Sequence, residues 1–181
     1  MGTTMKKLKI VLSEDQIQKR VKELGKQISA DYQGKRPVVI CMLKGAIVFF
    51  SDIVRNLTVP ISMEFARLSS YRNGTTSGEL EVVNDITADI SGKDIIIIED
   101  VVDSGKTLAY FIELLKKKNP SSIKICAFLD KPERRCAKVD VDYVGFKIEC
   151  GFVIGYGLDY AENYRELPYL AEINSPKDLE D

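Results

Sequence analysis

An α/β fold, with a mainly parallel twisted sheet flanked by helices, is predicted from three features of the chain. First, apolar β-branched runs at 37–42, 93–99 and 122–129 lack polar alternation, as strands buried on both faces do. Second, stretches between them carry apolar residues at helical spacing. Third, the elements follow the order β-α-β-α-β-β-β-α-β, which matches a single domain of this class. A length of 181 residues fits one domain spanning 1–181.

Each element has a local reason. Residues 8–12 read as a short strand. Ser13, with Gln16 three positions on, makes a capping box that opens a helix. Ile17, Val21, Leu24 and Ile28 form its apolar stripe, and Gly34 follows its end. The strand at 37–42 closes at Leu43-Lys44-Gly45, and 46–57 reads as a helix with an apolar start. Residues 60–68 alternate as a strand. The stretch 69–78, rich in Ser, Thr, Gly and Asn, reads as a mobile loop, and 79–85 as the returning strand of a long hairpin. The buried strand 93–99 leads through a polar loop into a helix over 107–119, with Leu108, Phe111, Ile112 and Leu115 on one face and Pro120 as its stop. After the strand 122–129 comes a turn at 130–135 containing Pro132. Residues 143–148 and 152–156 are short apolar runs divided by Cys150-Gly151. Residues 163–170 are mixed, and 174–181 read as frayed.

Composition excludes several function classes. A net charge of −1 provides no global basic field, so no nucleic-acid partner is expected. The local clusters Lys116-Lys117-Lys118 and Arg134-Arg135 read as a solvated helix end and loop. No leader-like apolar stretch follows the early lysines and no run is long enough to span a bilayer, so a cytoplasmic protein without a membrane partner is expected. Cys41, Cys126, Cys136 and Cys150 form no C-x-x-C pair, which argues for reduced, buried thiols and against a zinc site. The chain contains no histidine, which removes Ser-His-Asp and Cys-His catalysis and leaves acid–base work to carboxylates, lysine, tyrosine or cysteine.

The densest chemistry lies at Glu99-Asp100-Val101-Val102-Asp103-Ser104-Gly105-Lys106-Thr107. A buried strand runs into two acids, then a tight polar loop, then a helix. In open α/β sheets ligands bind at this carboxyl edge of the strands. Backbone N–H groups, hydroxyls and a lysine at a helix start suit a phosphate, and the acids suit sugar hydroxyls or magnesium. Gly105-Lys106-Thr107 is not a P-loop, because that pattern needs glycine where Asp100 stands.

This stretch resembles the signature of the phosphoribosyltransferases, which bind 5-phosphoribosyl 1-pyrophosphate. From about residue 8 to 174 the chain is similar to the hypoxanthine-guanine phosphoribosyltransferases, through Leu43-Lys44-Gly45, Ser69-Ser70-Tyr71, Lys131, the run from Phe152 to Tyr160, and Tyr164-Arg165-Glu166-Leu167. The resemblance implies the type I phosphoribosyltransferase fold, with a hood from the N-terminal strand and about 150–174, and a lid at 69–78 that includes Ser70 and Tyr71. It implies that Glu99 and Asp100 hold ribose hydroxyls and magnesium, and that Asp103 handles the proton at purine N7. Asp103 is also placed to cap the following helix, and the two roles are compatible. Residues Asp103, Ser104, Gly105, Lys106 and Thr107 would cradle the 5′-phosphate, with Lys106 either joining the cradle or facing solvent.

By the same resemblance Lys44, Gly45 and Arg165 would bind the diphosphate, with a cis peptide before Lys44. Lys131, Phe152, Val153 and Asp159 would bind the purine, Asp159 doubling as a magnesium ligand. An ammonium donates and never accepts, so Lys131 favours a 6-oxopurine over adenine. The implied reaction joins N9 of hypoxanthine or guanine to ribose C1 and releases pyrophosphate, with Mg²⁺ as cofactor and a homodimer or homotetramer as the assembly. Xanthine use remains open. A nucleotide-sensing regulator on the same fold would need a basic face or an added domain, and the net charge speaks against it.

Overall fold

The hydrophobic centre of the protein is Ile95–Ile98, four isoleucines without solvent exposure. The computed structural model describes residues 8–70, 80–84, 86–149 and 151–173. These form β1 (Lys9–Leu12), α1 (Glu14–Asp31), β2 (Val38–Met42), α2 (Ile47–Arg55), β3 (Ser62–Ser70), β4 (Leu80–Asn84), β5 (Asp94–Val102), α3 (Lys106–Lys116), β6 (Ser122–Asp130), a 3₁₀ turn (Pro132–Arg134), β7 (Tyr143–Lys147), β8 (Phe152–Ile154) and β9 (Leu170–Ile173). The main sheet has the order β4-β3-β2-β5-β6-β7. β3, β2, β5, β6 and β7 run parallel, and β4 is antiparallel to β3.

The predicted α/β class is what the chain adopts, and the reason is visible in β5. Ile95–Ile98 pair with Val38–Cys41 on one side and with residues 123–126 on the other. Such a strand meets protein on both faces and both edges, so every position is apolar. Helix α1 starts at the expected capping box: Ser13 Oγ accepts from Gln16 N, and Gln16 Oε1 accepts from Ser13 N at 2.9 Å. It turns Ile17, Val21, Leu24 and Ile28 inward and packs on α2 and β7. Helix α3 sends Leu108, Phe111 and Leu115 into the same core.

The chain leaves β2 toward β3 on one side and leaves β5 toward β6 on the other. Where connections diverge from two neighbouring parallel strands, a crevice opens at their carboxyl ends. That crevice lies between Leu43-Lys44-Gly45, after β2, and the acids at the end of β5.

A second, antiparallel sheet has the order β1-β9-β8. Sequence pattern missed β9, because Leu-Ala-Glu-Ile has no alternation to read. It exists through its neighbours: Glu172 lies opposite Lys9 on one side and Val153 on the other. Lys9 Nζ also reaches Glu172 Oε2 at 2.7 Å.

Three further expectations are corrected. β5 does not stop at Glu99 but continues to Val102, because Val101 and Val102 still pair with Leu129 and Asp130. Asp100 therefore sits on the strand beside Glu99 and not in the loop after it. Cys41 and Cys126 are buried free thiols, but Cys136 is exposed. Arg135 is not a solvated loop residue, as shown below. Tyr71 with most of the expected lid, Cys150 and the expected frayed tail lie outside the described residues. Ser70 ends β3.

Candidate functional site

The end of β5 places two carboxylates where solvent reaches them poorly. Glu99 Oε2 is buried and has no hydrogen-bond partner among the described residues. Burial, reinforced by the neighbouring charge of Asp100, pushes the Glu99 carboxyl well above the usual range. Burial also raises Asp100, although Val101 N donates to its Oδ1 at 2.8 Å and the Arg165 charge opposes the shift. Gly45 leaves room for this acid. A Cβ at that position would lie 1.6 Å from Asp100 Oδ2, so the β2 loop can approach β5 this closely only with glycine there.

Just beyond, Gly105 caps α3 in the left-handed region at φ 75° and, having no side chain, makes no capping bond of its own. Asp103 is therefore not the N-cap, and the first turn keeps N–H groups available for an anion. Ser104 Oγ accepts from Lys106 N at 3.4 Å.

The loop is held from beneath by Arg135. Its guanidinium donates to the carbonyls of Asp103 (3.2 Å), Val102 (3.4 Å) and Val139 (2.5 Å), and pairs with Asp130. Cys136 N and Ala137 N both donate to Ser104 O, at 2.9 and 3.0 Å. A Cβ on Gly105 would lie 2.8 Å from Arg135 Cδ, so glycine serves packing as well as φ. Its neighbour Arg134 is exposed and pairs with the Asp103 carboxylate at 3.0 Å. Nothing in the dipeptide distinguishes these two arginines. The 3₁₀ turn after β6 aims one under the loop and the other outward.

Across the crevice the Leu43–Lys44 peptide is cis. Lys44 Nζ pairs with Glu162 Oε2 at 2.7 Å. Arg165 pairs with Asp159 at 2.9 Å and Glu162 at 3.5 Å, and donates to Gly157 O at 2.7 Å. Glu162 N donates to the second Asp159 oxygen at 2.9 Å. Two cations thus converge on a corner where this chain's own acids engage them. The hydrogen bond from Lys44 holds the Glu162 carboxyl below its usual range. Sequence reading did not single out Glu162, since its role needs the turn to fold back on Lys44.

Lys131 begins the turn after β6. It is 6% exposed, and its Nζ donates to Gly151 O at 2.9 Å. Phe152 is 51% exposed and so does not belong to the core; it meets Tyr160 edge-on at 5.7 Å. Val153 beside it is buried. Among the described residues no three metal-ligating side chains gather into a ready cluster. Glu99 and Asp100 are adjacent, but the Asp159 carboxylate is engaged by Arg165 and Glu162.

Comparison with known proteins gives the family. The phosphoribosyl transferase domain family matches residues 8–161, and the chain belongs to that family. Within it, the chain is 47% identical over 163 residues to the hypoxanthine-guanine phosphoribosyltransferase of Bacillus subtilis, covering 90% of this chain and 91% of the relative. It is 45% identical over 163 residues to the bifunctional protein TilS/HprT of Listeria innocua, covering 90% of this chain but only 25% of that protein. The chain therefore spans about a quarter of the length of that bifunctional relative. Among solved structures, a hypoxanthine phosphoribosyltransferase of Staphylococcus aureus superposes with TM-score 0.89 at 41% identity, covering 98% of this chain and 99% of that one. A hypoxanthine-guanine phosphoribosyltransferase of Bacillus anthracis gives 0.87 at 42%, covering 92% and 99%.

Proposed function

We propose that this enzyme transfers the 5-phosphoribosyl group of 5-phosphoribosyl 1-pyrophosphate to N9 of hypoxanthine or guanine, yielding IMP or GMP and pyrophosphate, in cytoplasmic purine salvage. One observation carries the reading. The acids and phosphate loop of 99–107 open onto the same sheet edge as Lys131, whose backbone N–H donates to Val102 O at 3.0 Å. A buried ammonium beside a ribose-phosphate site selects a base that offers an acceptor, which a 6-oxo group does and a 6-amino group does not.

The side chains divide the work. The N–H groups that open α3, with Ser104 and Thr107, receive the 5′-phosphate. Lys44 and Arg165 exchange Glu162 and Asp159 for the diphosphate, whose greater charge density favours the exchange. Phe152, with its ring exposed, stacks on the purine, and Val153 offers its backbone to the base edge. The C1–N9 bond forms as the C1–O bond to pyrophosphate breaks, through an oxocarbenium-like state. Asp103 takes part through the N7 proton, and Arg134 holds its carboxylate ready on the loop.

The acids at the end of β5 fit a divalent cation. A desolvated carboxylate oxygen without a partner is what magnesium relieves, and two adjacent acids leave its other positions to water and substrate oxygens. Glu99 and Asp100 would hold it, with Asp159 joining once Arg165 turns to the diphosphate. When bound, it would offset charge on the leaving group. Exposed Met63 and Phe65 of β3, with Ile47 of α2, supply an apolar surface for a homodimer or homotetramer.

The test is turnover. Purified protein with 5-phosphoribosyl 1-pyrophosphate, magnesium and either base should release pyrophosphate and form the nucleotide. Absence of product with both bases overturns the reading, and competition among hypoxanthine, guanine and xanthine ranks the substrates.

A further inference from the structure

Asp52 lies within α2, away from every group assigned above, yet it is only 8% exposed. An acid so buried must be paired, and this one accepts from three separate places. Tyr156 OH donates to its Oδ2 at 2.6 Å and Gln18 Nε2 to the same oxygen at 2.7 Å, while Arg55 engages Oδ1. Burial alone would raise its carboxyl. The hydrogen bonds from Tyr156, Gln18 and Arg55, with the Arg55 charge, outweigh that and hold it below the usual range.

The partner of interest is Tyr156. It is 2% exposed and its ring packs 4.8 Å from that of Phe128. Its backbone is unusual. Tyr156 has φ 51° and Gly157 has φ 100°, in a turn closed by reciprocal bonds between Gly155 and Leu158. Glycine accepts such a φ freely, but a bulky residue does so only where its surroundings enforce it. The hydroxyl on Asp52 and the ring on Phe128 are that enforcement.

This turn builds the cationic corner. Gly157 O accepts from Arg165 Nη1 at 2.7 Å, and Gly157 N donates to Arg165 O at 2.9 Å. The other face of Gly157 rests on the Lys44–Gly45 loop. A Cβ there would lie 2.1 Å from Gly45 O. That loop leads directly into α2, the helix that carries Asp52. One hydrogen bond therefore ties together the two arms of the corner: the arm with Lys44 and Gly45, and the arm with Arg165.

We propose that Asp52 is the positioning residue of the diphosphate pocket, acting through the Tyr156 hydroxyl to seat the 155–158 turn and with it Arg165 against Lys44. This rests on the phosphoribosyl-transfer reading above and extends it to residues that touch no substrate. Phe152 and Val153 of the base subsite precede this turn on β8, but the hydrogen bonds and the close contact that it makes run to Arg165 and Gly45, so the effect should fall mainly on the diphosphate-bearing substrate.

The experiment compares Tyr156→Phe, Asp52→Asn and Gln18→Ala with wild type, by steady-state kinetics, calorimetry with inorganic pyrophosphate, and thermal unfolding. Tyr156→Phe should raise KM for 5-phosphoribosyl 1-pyrophosphate and weaken pyrophosphate binding by about 5- to 10-fold, the equivalent of one lost hydrogen bond. KM for hypoxanthine should stay within about twofold, because Lys131 and the Phe152 ring do not depend on the hydrogen bond removed. Tyr156→Phe combined with Asp52→Asn should add little to Tyr156→Phe alone, as for two groups in one interaction. Gln18→Ala removes another donor to the same carboxylate without touching the turn. It should lower the unfolding temperature and leave both KM values unchanged. If Tyr156→Phe binds pyrophosphate like wild type, or if Gln18→Ala reproduces its kinetic defect, the positioning role is overturned while the reaction assignment stands. If wild type neither turns over nor binds pyrophosphate, the reaction assignment fails and the role fails with it.

Discussion

Residues 103–107 and the corner made by Lys44, Gly45, Gly157 and Arg165 flank the same two acids, but they are built differently. The first is one continuous segment, a strand end and a helix start, whose N–H groups point where they do because α3 begins at Gly105. The second is assembled from segments more than a hundred residues apart in sequence, joined where Gly157 meets Gly45 O. A local device needs only a few correct residues in a row. An assembled one needs the whole domain to hold its parts in register, which is why its supports, Asp52 and Tyr156, lie in the core. Even the local loop borrows from elsewhere, since Arg135 supports it from the far side of β6.

The sharpest way to break the local side is Asp103→Asn. It keeps shape and removes the proton handling proposed for this acid, so kcat should fall by about 10²- to 10⁴-fold with folding intact. An unchanged kcat would take that role from Asp103. Next comes the contrast between the two arginines. Arg135→Ala leaves Asp130 buried without its partner and should destabilise the protein by about 3–5 kcal/mol. Arg134→Ala breaks an exposed pair and should cost at most about 1 kcal/mol. Chemical unfolding of both variants measures the difference, and equal losses would deny Arg135 its supporting role.

On the assembled side, Gly157→Ala forces a side chain into a positive φ and against Gly45 O. The strain alone should cost about 1–3 kcal/mol, and a weaker affinity for 5-phosphoribosyl 1-pyrophosphate should accompany it. Unaltered binding in a folded variant would show that the two arms are not held through this contact.

The smallest effect has the opposite sign. Glu99 titrates above its unfolded value, so the favourable contribution of its neutral form is present below about pH 4.3 and is lost as pH rises toward the folded value. At neutral pH the buried acid is a burden on the fold, since it must either ionise without solvent or take up a proton that the unfolded chain does not hold. Glu99→Gln should therefore raise the unfolding temperature by about 2–4 °C without divalent cations. That gain should shrink toward zero near pH 4 and narrow when magnesium is added to wild type. A variant no more stable than wild type at neutral pH would mean that solvent already relieves Glu99.

Much of this was legible in the chain. The parallel sheet followed from the unbroken isoleucine run, the first helix from its capping box, and the tight turn from β5 into α3 from the polar stretch around Gly105. What escaped shared one property. β9 has no pattern of its own and is a strand because β1 and β8 pair with it. Arg135 and Arg134 are the same residue type side by side, and a turn decides which one is buried. Glu162 is an ordinary surface acid until the 155–165 segment folds onto Lys44.

The sequence alone determined the fold class, the central strands and helices and the chemical character of residues 99–107, because burial on two faces, helix initiation and a φ suited to glycine act over a few adjacent residues. Tertiary structure alone decided which acids lose water, which arginine supports the 103–107 loop, and that the Tyr156 hydroxyl meets Asp52. Desolvation and hydrogen-bond partnership depend on every segment that packs around a group, and those segments come from all along the chain.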